Sequence, residues 1–187
     1  MVNFSPRSFT ALLAWLTWLV ASTSICAAPA PPSESLAPPN LVVISERITT
    51  VGQPSADWLS GLKLQGYDAV IYLAPATVSD AVKDEPLIVS RQGLIFVNIP
   101  IKFASPTEQD FENFAAVMVA LNKKKVLVHC QINLRASSMV FLYRTIVLKE
   151  NPNTAYDSVS KVWVPDGAWK QLIQDQLKKH HINFVPF

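Results

Sequence analysis

Charge of one sign is scarce in this sequence: 16 Lys and Arg stand against 14 Asp and Glu, a net charge of +2. No basic stripe gathers on one segment. Proteins that hold nucleic acid through its phosphates need such a stripe, so nucleic acid is not an expected partner. Also missing is the low hydrophobicity and high charge that keep a chain disordered, since 50% of the residues are hydrophobic and 16% charged. A folded core of about one domain follows, large enough to need no disulfide or metal staple. Cysteine is nearly absent, with Cys26 and Cys130 the two present. The longest apolar run, around positions 11–20, is about a dozen residues, short of the ~20 that cross a bilayer.

Residues 1–28 contain no acidic residue and one basic residue, Arg7. With the short apolar run and the small residues after it, they read as a secretory signal peptide cleaved near Ala27 or Ala28. An uncleaved anchor is the alternative, and lipidation at Cys26 suffers from Ile25, where a small residue is wanted. Residues 29–39, with Pro29, Pro31, Pro32, Pro38 and Pro39, read as an extended tether. The expected product is periplasmic or secreted, without stable membrane insertion after cleavage, and its folded domain runs over 40–187. Cleavage leaves Cys130 as a single thiol that cannot pair within the chain. A buried small hydrophobe is the plain reading of such a cysteine.

From Asn40 onward, short apolar runs alternate with helical periods, the pattern of a three-layer α/β domain with a mostly parallel central sheet and flanking helices. Strands are expected at 41–44, 48–51, 69–73, 95–99 and 126–129. The last three are continuous apolar runs, as for strands covered on both faces. Helices are expected at 55–65, closed by Gly66, and from Thr107, where Thr-Glu-Gln-Asp resembles a capping box. That second helix carries Phe111, Phe114, Ala115, Met118 and Leu121 on one face. A buried helix is expected over 136–148, and two more over 154–161 and 167–180, the last with Trp169, Leu172, Ile173 and Leu177 inward.

The segment from Val126 to Ser138 reads Val-Leu-Val-His-Cys-Gln-Ile-Asn-Leu-Arg-Ala-Ser-Ser. It sets Cys130 at the end of a buried strand and Arg135 at the start of a buried helix. Backbone N–H groups of a strand-to-helix loop, with the helix N-terminus, form an anion cradle. That positive end favours a thiolate over a thiol, which makes Cys130 a candidate nucleophile. Arg135 offers a planar fork of donors to two oxygens of a tetrahedral oxyanion.

Val-His-Cys-(x)4-Arg-Ala-Ser resembles the signature loop of the cysteine-dependent tyrosine and dual-specificity phosphatases. Val51-Gly-Gln-Pro54, the stretch from Leu59 to Ile71 and Phe96-Val-Asn-Ile-Pro-Ile101 resemble the small bacterial phosphatase-like family with a Gly-Gln-Pro motif, relatives of the beta-lactamase-hydrolase-like phosphatases. The resemblance covers roughly residues 45–148. It implies Cys130 as nucleophile, Arg135 as phosphate ligand, Gln131, Ile132, Asn133 and Leu134 as amide donors, and His129, Ser137 and Gln53 as supports. No metal or organic cofactor is implied, and the expected partner is a phosphorylated protein or a small phosphoester.

The loop departs from the wider superfamily in three ways. It is Cys-x4-Arg where Cys-x5-Arg is usual. Asn133 stands in place of a glycine, a residue that tolerates a left-handed backbone. Ala136 replaces the Ser or Thr after the Arg, with Ser137 one place on. The general acid expected about thirty residues before the cysteine is absent too, because 99–106 holds Lys102 and no acidic residue. Glu108 and Asp110 are candidates that also suit a helix start. Asp166, in Trp-Val-Pro-Asp-Gly, reads as a helix cap, and His180 and His181 as a solvated helix end. His129 is not a base for Cys130, since adjacent strand residues face opposite ways.

The leading reading is an exported phosphatase of phosphate monoesters, aryl esters favoured, working through a phosphocysteine. The short loop also fits a sulfurtransferase carrying a persulfide on Cys130. The missing acid fits an oxyanion-binding or interaction module without turnover.

Overall fold

In the computed structural model, which describes Met1 and residues 37–185, the expected apolar runs form one five-stranded sheet. The expected signal peptide, Cys26 and most of the expected tether lie outside the described residues. At the tether's end Pro38 is buried and the Pro39 carbonyl accepts from Gly52 N at 2.7 Å. The packed domain thus begins ahead of Asn40.

The strands are β1 (Val42–Val43), β2 (Ile48–Val51), β3 (Ala69–Tyr72), β4 (Ile95–Asn98) and β5 (Val126–His129). Their spatial order is β1-β2-β5-β3-β4. Only β1 runs antiparallel, paired to β2, and every other pairing is parallel. The centre of the sheet, β5 and β3, is buried along its whole length, as continuous apolar runs require. The third such run, β4, was expected to be covered on both faces but is an edge strand, with Ile95 and Asn98 exposed and Phe96 and Val97 half-buried.

Side-chain alternation divides the core in two. Val70 and Leu127 meet Trp58, Leu59, Leu62 and Val89 on one face. Ile71, Val126 and Val128 meet Phe114, Met139, Trp169 and Ile173 on the other. The first face carries α1 (Ala56–Ser60) and α2 (Glu85–Ser90); the second carries α3 (Glu108–Ala120), α4 (Leu134–Leu142), α5 (Pro152–Ser160) and α6 (Gly167–Lys179). These are the three layers expected of the sequence.

The start of α3 is the capping box read from Thr107: its side chain accepts from Asp110 N, and the Asp110 carboxylate accepts from Thr107 N. Three helices differ most from expectation. The helix at 55–65 is regular only through Ser60 and continues as turns to Gly66, whose φ of 80° closes it. The buried helix begins at Leu134 and widens at its end into a π-helical turn, Tyr143–Val147, with Leu148 N donating to Tyr143 O. Within that turn Arg144 is buried but satisfied by Glu150 at 2.7 Å, Ser158 and the Ala155 carbonyl. The third, α2, is six residues long and has no side-chain cap, with Asp84 in the cap position and Pro86 in its first turn, so no periodicity announced it. No helix among the described residues is long and apolar enough to cross a membrane.

Candidate active site

At the end of β5 the chain passes His129 and Cys130, turns through Gln131, Ile132 and Asn133, and enters α4 at Leu134. The turn rests on Asn133, which is fully buried with φ of 71°. A left-handed backbone costs Asn less than most residues because its side chain bonds locally. Here its Nδ2 donates to Asn40 O at 2.6 Å and Thr50 Oγ1 at 3.1 Å, while Asn40 Nδ2 donates to Ile132 O at 2.9 Å. Two asparagines 93 positions apart in the chain thus pin the loop.

The Gly-Gln-Pro segment lies against the same loop, with Gln53 N donating to Gln131 O at 2.8 Å. Gly52 allows this approach, since a Cβ on it would sit 2.8 Å from the Gln131 carbonyl oxygen. Backbone cannot step aside as a side-chain tip can. Gly52→Ala is therefore expected to destabilise the protein by about 1–3 kcal/mol, read as a lowered denaturation midpoint; an unchanged midpoint would show that the loop yields freely.

Cys130 is a free thiol and fully buried. Arg135 is also buried, its Nε donating to Ile101 O at 3.0 Å and its Nη1 to Gln131 Oε1 at 3.4 Å. The ring of Phe103 lies 5.2 Å from the guanidinium carbon. Asp80, Phe103, Gln131, Ile132, Leu134 and Arg135 line an open cavity of about 270 Å³. The first amides of α4 have no partner within the helix, and together with the Arg135 guanidinium they are donors of the kind an oxyanion takes. Ser137 is buried and turns its hydroxyl to Leu134 O at 3.2 Å, bracing the first turn of α4.

His129 faces away from Cys130, as strand alternation requires. Its Nε2 lies 2.6 Å from Glu85 Oε1, and its ring stacks on Tyr72 with centroids 4.6 Å apart. Gln53 Nε2 donates to the other Glu85 oxygen at 3.0 Å. The supporting residues Gln53 and His129 thus meet at Glu85, a carboxylate that is 1% exposed. Glu85, Tyr72 and Phe103 were not picked out by the sequence. The Glu85-Pro86 dipeptide starts a helix too short to show a period, and only the fold brings it to β5.

Burial pushes the Tyr72 phenol up to about 12, with the charges of Glu85 and Asp80 adding to the rise. Burial also raises Tyr67, Tyr143 and Tyr156. The folded state therefore favours neutral phenols. For Tyr72 this stabilisation is complete below the unfolded value of about 10 and is lost as pH rises toward about 12. Phenolate absorbance in an alkaline titration should rise later than for free tyrosine, and Tyr72→Phe should remove the most delayed phase. Titration of all four at the free value would contradict it.

The candidate acids are distributed as follows. Glu108 pairs with Lys179, which holds its carboxyl below the usual range, and Asp110 is bound into the Thr107 cap. Lys102 is exposed and does not line the cavity. Asp166 occupies the N-cap position of α6 without a side-chain cap bond and is not on the cavity either. Its neighbours do reach the cavity wall: Trp163 and Trp169 pack on Phe103, and Trp169 Nε1 donates to Phe103 O at 2.9 Å. His180 is the C-cap of α6 and, like His181, is exposed. The carboxylate that does line the cavity is Asp80, in the loop between β3 and α2. It lies outside the stretch where sequence spacing looks for an acid.

A parallel sheet with Cys130 at a strand end and Arg135 at a helix start defines a domain of the dual-specificity and tyrosine phosphatase type. The chain belongs to the family described as DSP-PTPase phosphatase fused to NAD+ Kinase, whose model matches residues 43–180. A DUF442 protein of Shewanella putrefaciens CN-32, described as a candidate phosphatase, is 32% identical, with 76% of this chain and 93% of that chain covered and a TM-score of 0.70. The core catalytic domain of a PP-IP phosphatase from S. cerevisiae shares the fold at 14% identity and a TM-score of 0.62, covering 78% of this chain and 93% of that one. The Beta-lactamase hydrolase-like protein of Xylella fastidiosa (strain Temecula1 / ATCC 700964) is 31% identical over 112 residues, 57% of this chain. The chain spans 25% of that protein's length.

Proposed function

We propose that this protein is an exported, cysteine-dependent phosphatase of phosphate monoesters, with aryl esters favoured. The observation that carries the reading is the loop from Cys130 to Arg135, folded about Asn133, whose Gln131, Ile132, Leu134 and Arg135 line a cavity of about 270 Å³. A phosphoryl group fits the donors there: the Arg135 fork and the first amides of α4. The Cys130 thiolate attacks phosphorus, an S–P bond forms, the ester P–O bond breaks, and the leaving oxygen takes up a proton. Water then attacks the phosphocysteine, the S–P bond breaks, and inorganic phosphate leaves with the thiolate restored. Phe103, Ile132 and Leu134 on the cavity give an aromatic leaving group apolar surface to lie on. Export rests on the composition of residues 1–28.

The spacing that suggested a sulfurtransferase occurs here in a chain of the phosphatase family, which removes its main support. The silent-cradle reading keeps one observation in its favour, the full burial of Cys130. Hydrolysis of 4-nitrophenyl phosphate and phosphotyrosine by the reduced protein, beside its Cys130→Ser variant, decides between them. Turnover that needs Cys130 supports the phosphatase; phosphate binding without turnover in either form supports the cradle.

A further inference from the structure

We propose that Asp80 is the general acid of this site, supplied by the loop between β3 and α2 and aimed by Gln131 of the cradle itself. The inference rests on the phosphatase reading. The segment after β4 contributes no carboxylate to the cavity; it supplies the Phe103 ring and the Ile101 carbonyl that holds Arg135. Glu85 is buried and held by His129 and Gln53, while Glu108 and Asp110 are bound to Lys179 and Thr107. Of the six residues lining the cavity, Asp80 alone is acidic.

Its position is set by one side chain. Gln131 Nε2 donates to Asp80 Oδ1 at 2.8 Å, and Gln131 Oε1 accepts from Arg135 Nη1 at 3.4 Å. The amide therefore couples the acid to the phosphate ligand, one residue beyond the nucleophile. Asp80 Oδ2 remains to carry the proton, and the exposure of Asp80 lets water reload it. As the S–P bond forms and the ester P–O bond breaks, the bonding pair goes to the leaving oxygen, which takes the proton from Asp80 Oδ2. In the second half, the resulting carboxylate accepts a proton from the water that attacks phosphorus, the S–P bond breaks, and Asp80 is protonated again. Protons and electrons balance over the cycle with water as the only co-reactant.

A poor leaving group needs this proton and a good one does not, which a purely structural residue would not reproduce. The test is kcat for 4-nitrophenyl phosphate, phenyl phosphate and an alkyl phosphate, measured with the full chain and its Asp80→Asn, Asp80→Glu and Cys130→Ser variants. Asp80→Asn should lower phenyl and alkyl phosphate turnover by ~10²–10⁴ and 4-nitrophenyl phosphate turnover by less than about tenfold, with Asp80→Glu recovering part of the loss. A loss equal across the series, or none, while Cys130→Ser abolishes turnover, overturns the role of Asp80 alone. Turnover that survives Cys130→Ser, or is absent from the unmodified protein, overturns the phosphatase reading and the acid with it.

Discussion

Serine in place of Cys130 is expected to lower aryl phosphate turnover by at least about 10³-fold while the protein stays folded. Oxygen for sulfur changes little in a site that is fully buried and carries no disulfide. The chemistry changes far more. A serine hydroxyl needs a base to become a nucleophile, and the imidazole next in sequence is turned to the other face of the sheet, against Glu85 and Tyr72. The oxyanion donors are untouched, so inorganic phosphate should bind the variant about as well as the parent. Phosphate affinity measured beside turnover separates loss of the nucleophile from collapse of the cradle. Undiminished turnover would remove Cys130 from the mechanism.

Glu85→Ala should have the largest effect on stability among the residues of the site, about 3 kcal/mol. Its carboxylate and the His129 imidazole are 2.6 Å apart, with side chains 2% and 0% exposed, so neither can exchange its partner for water. Removing the carboxylate leaves the buried His129 imidazole without its 2.6 Å neighbour and the Gln53 amide without its acceptor. For a domain of this size a loss of ~3 kcal/mol lowers Tm by roughly 6–12 °C. Glu85→Gln keeps an oxygen for one of the two partners and should cost about 1 kcal/mol. Thermal and denaturant unfolding of both variants tests this. A midpoint for Glu85→Ala equal to that of the parent would show that the pair adds nothing to the fold. Because His129 immediately precedes Cys130, turnover should fall in the same variant.

Local signals were legible wherever one stretch of chain carries its own instruction. The buried strands β3 and β5 are continuous apolar runs, and Val126–His129 begins and ends where the sequence places it. The Thr107 box caps α3 because both partners lie within one turn. Asn133 stands where the related loops have glycine and is a residue type that tolerates a left-handed turn; it has φ of 71°. By contrast, α2 is too short for a hydrophobic period and starts without a side-chain cap. The widening of α4 into a π turn accompanies a buried Arg144 whose partners come from 6 to 14 residues downstream.

The site divides along the same line. Cys130 and Arg135 share one strand-loop-helix unit, so their spacing alone sets them around a common cradle. The sequence by itself therefore determined the layered fold and the strand-loop-helix unit that carries Cys130 and Arg135. Glu85 reaches His129 from 44 positions upstream and Asp80 reaches Gln131 from 51. Phe103 comes to Arg135 on a third loop, itself held by Trp169 from 66 positions downstream. Which carboxylate faces the cavity and which is buried behind it was decided by the parallel sheet. Its crossovers bring the ends of β3, β4 and β5 to one edge, and no periodicity within a single segment encodes which loops meet there.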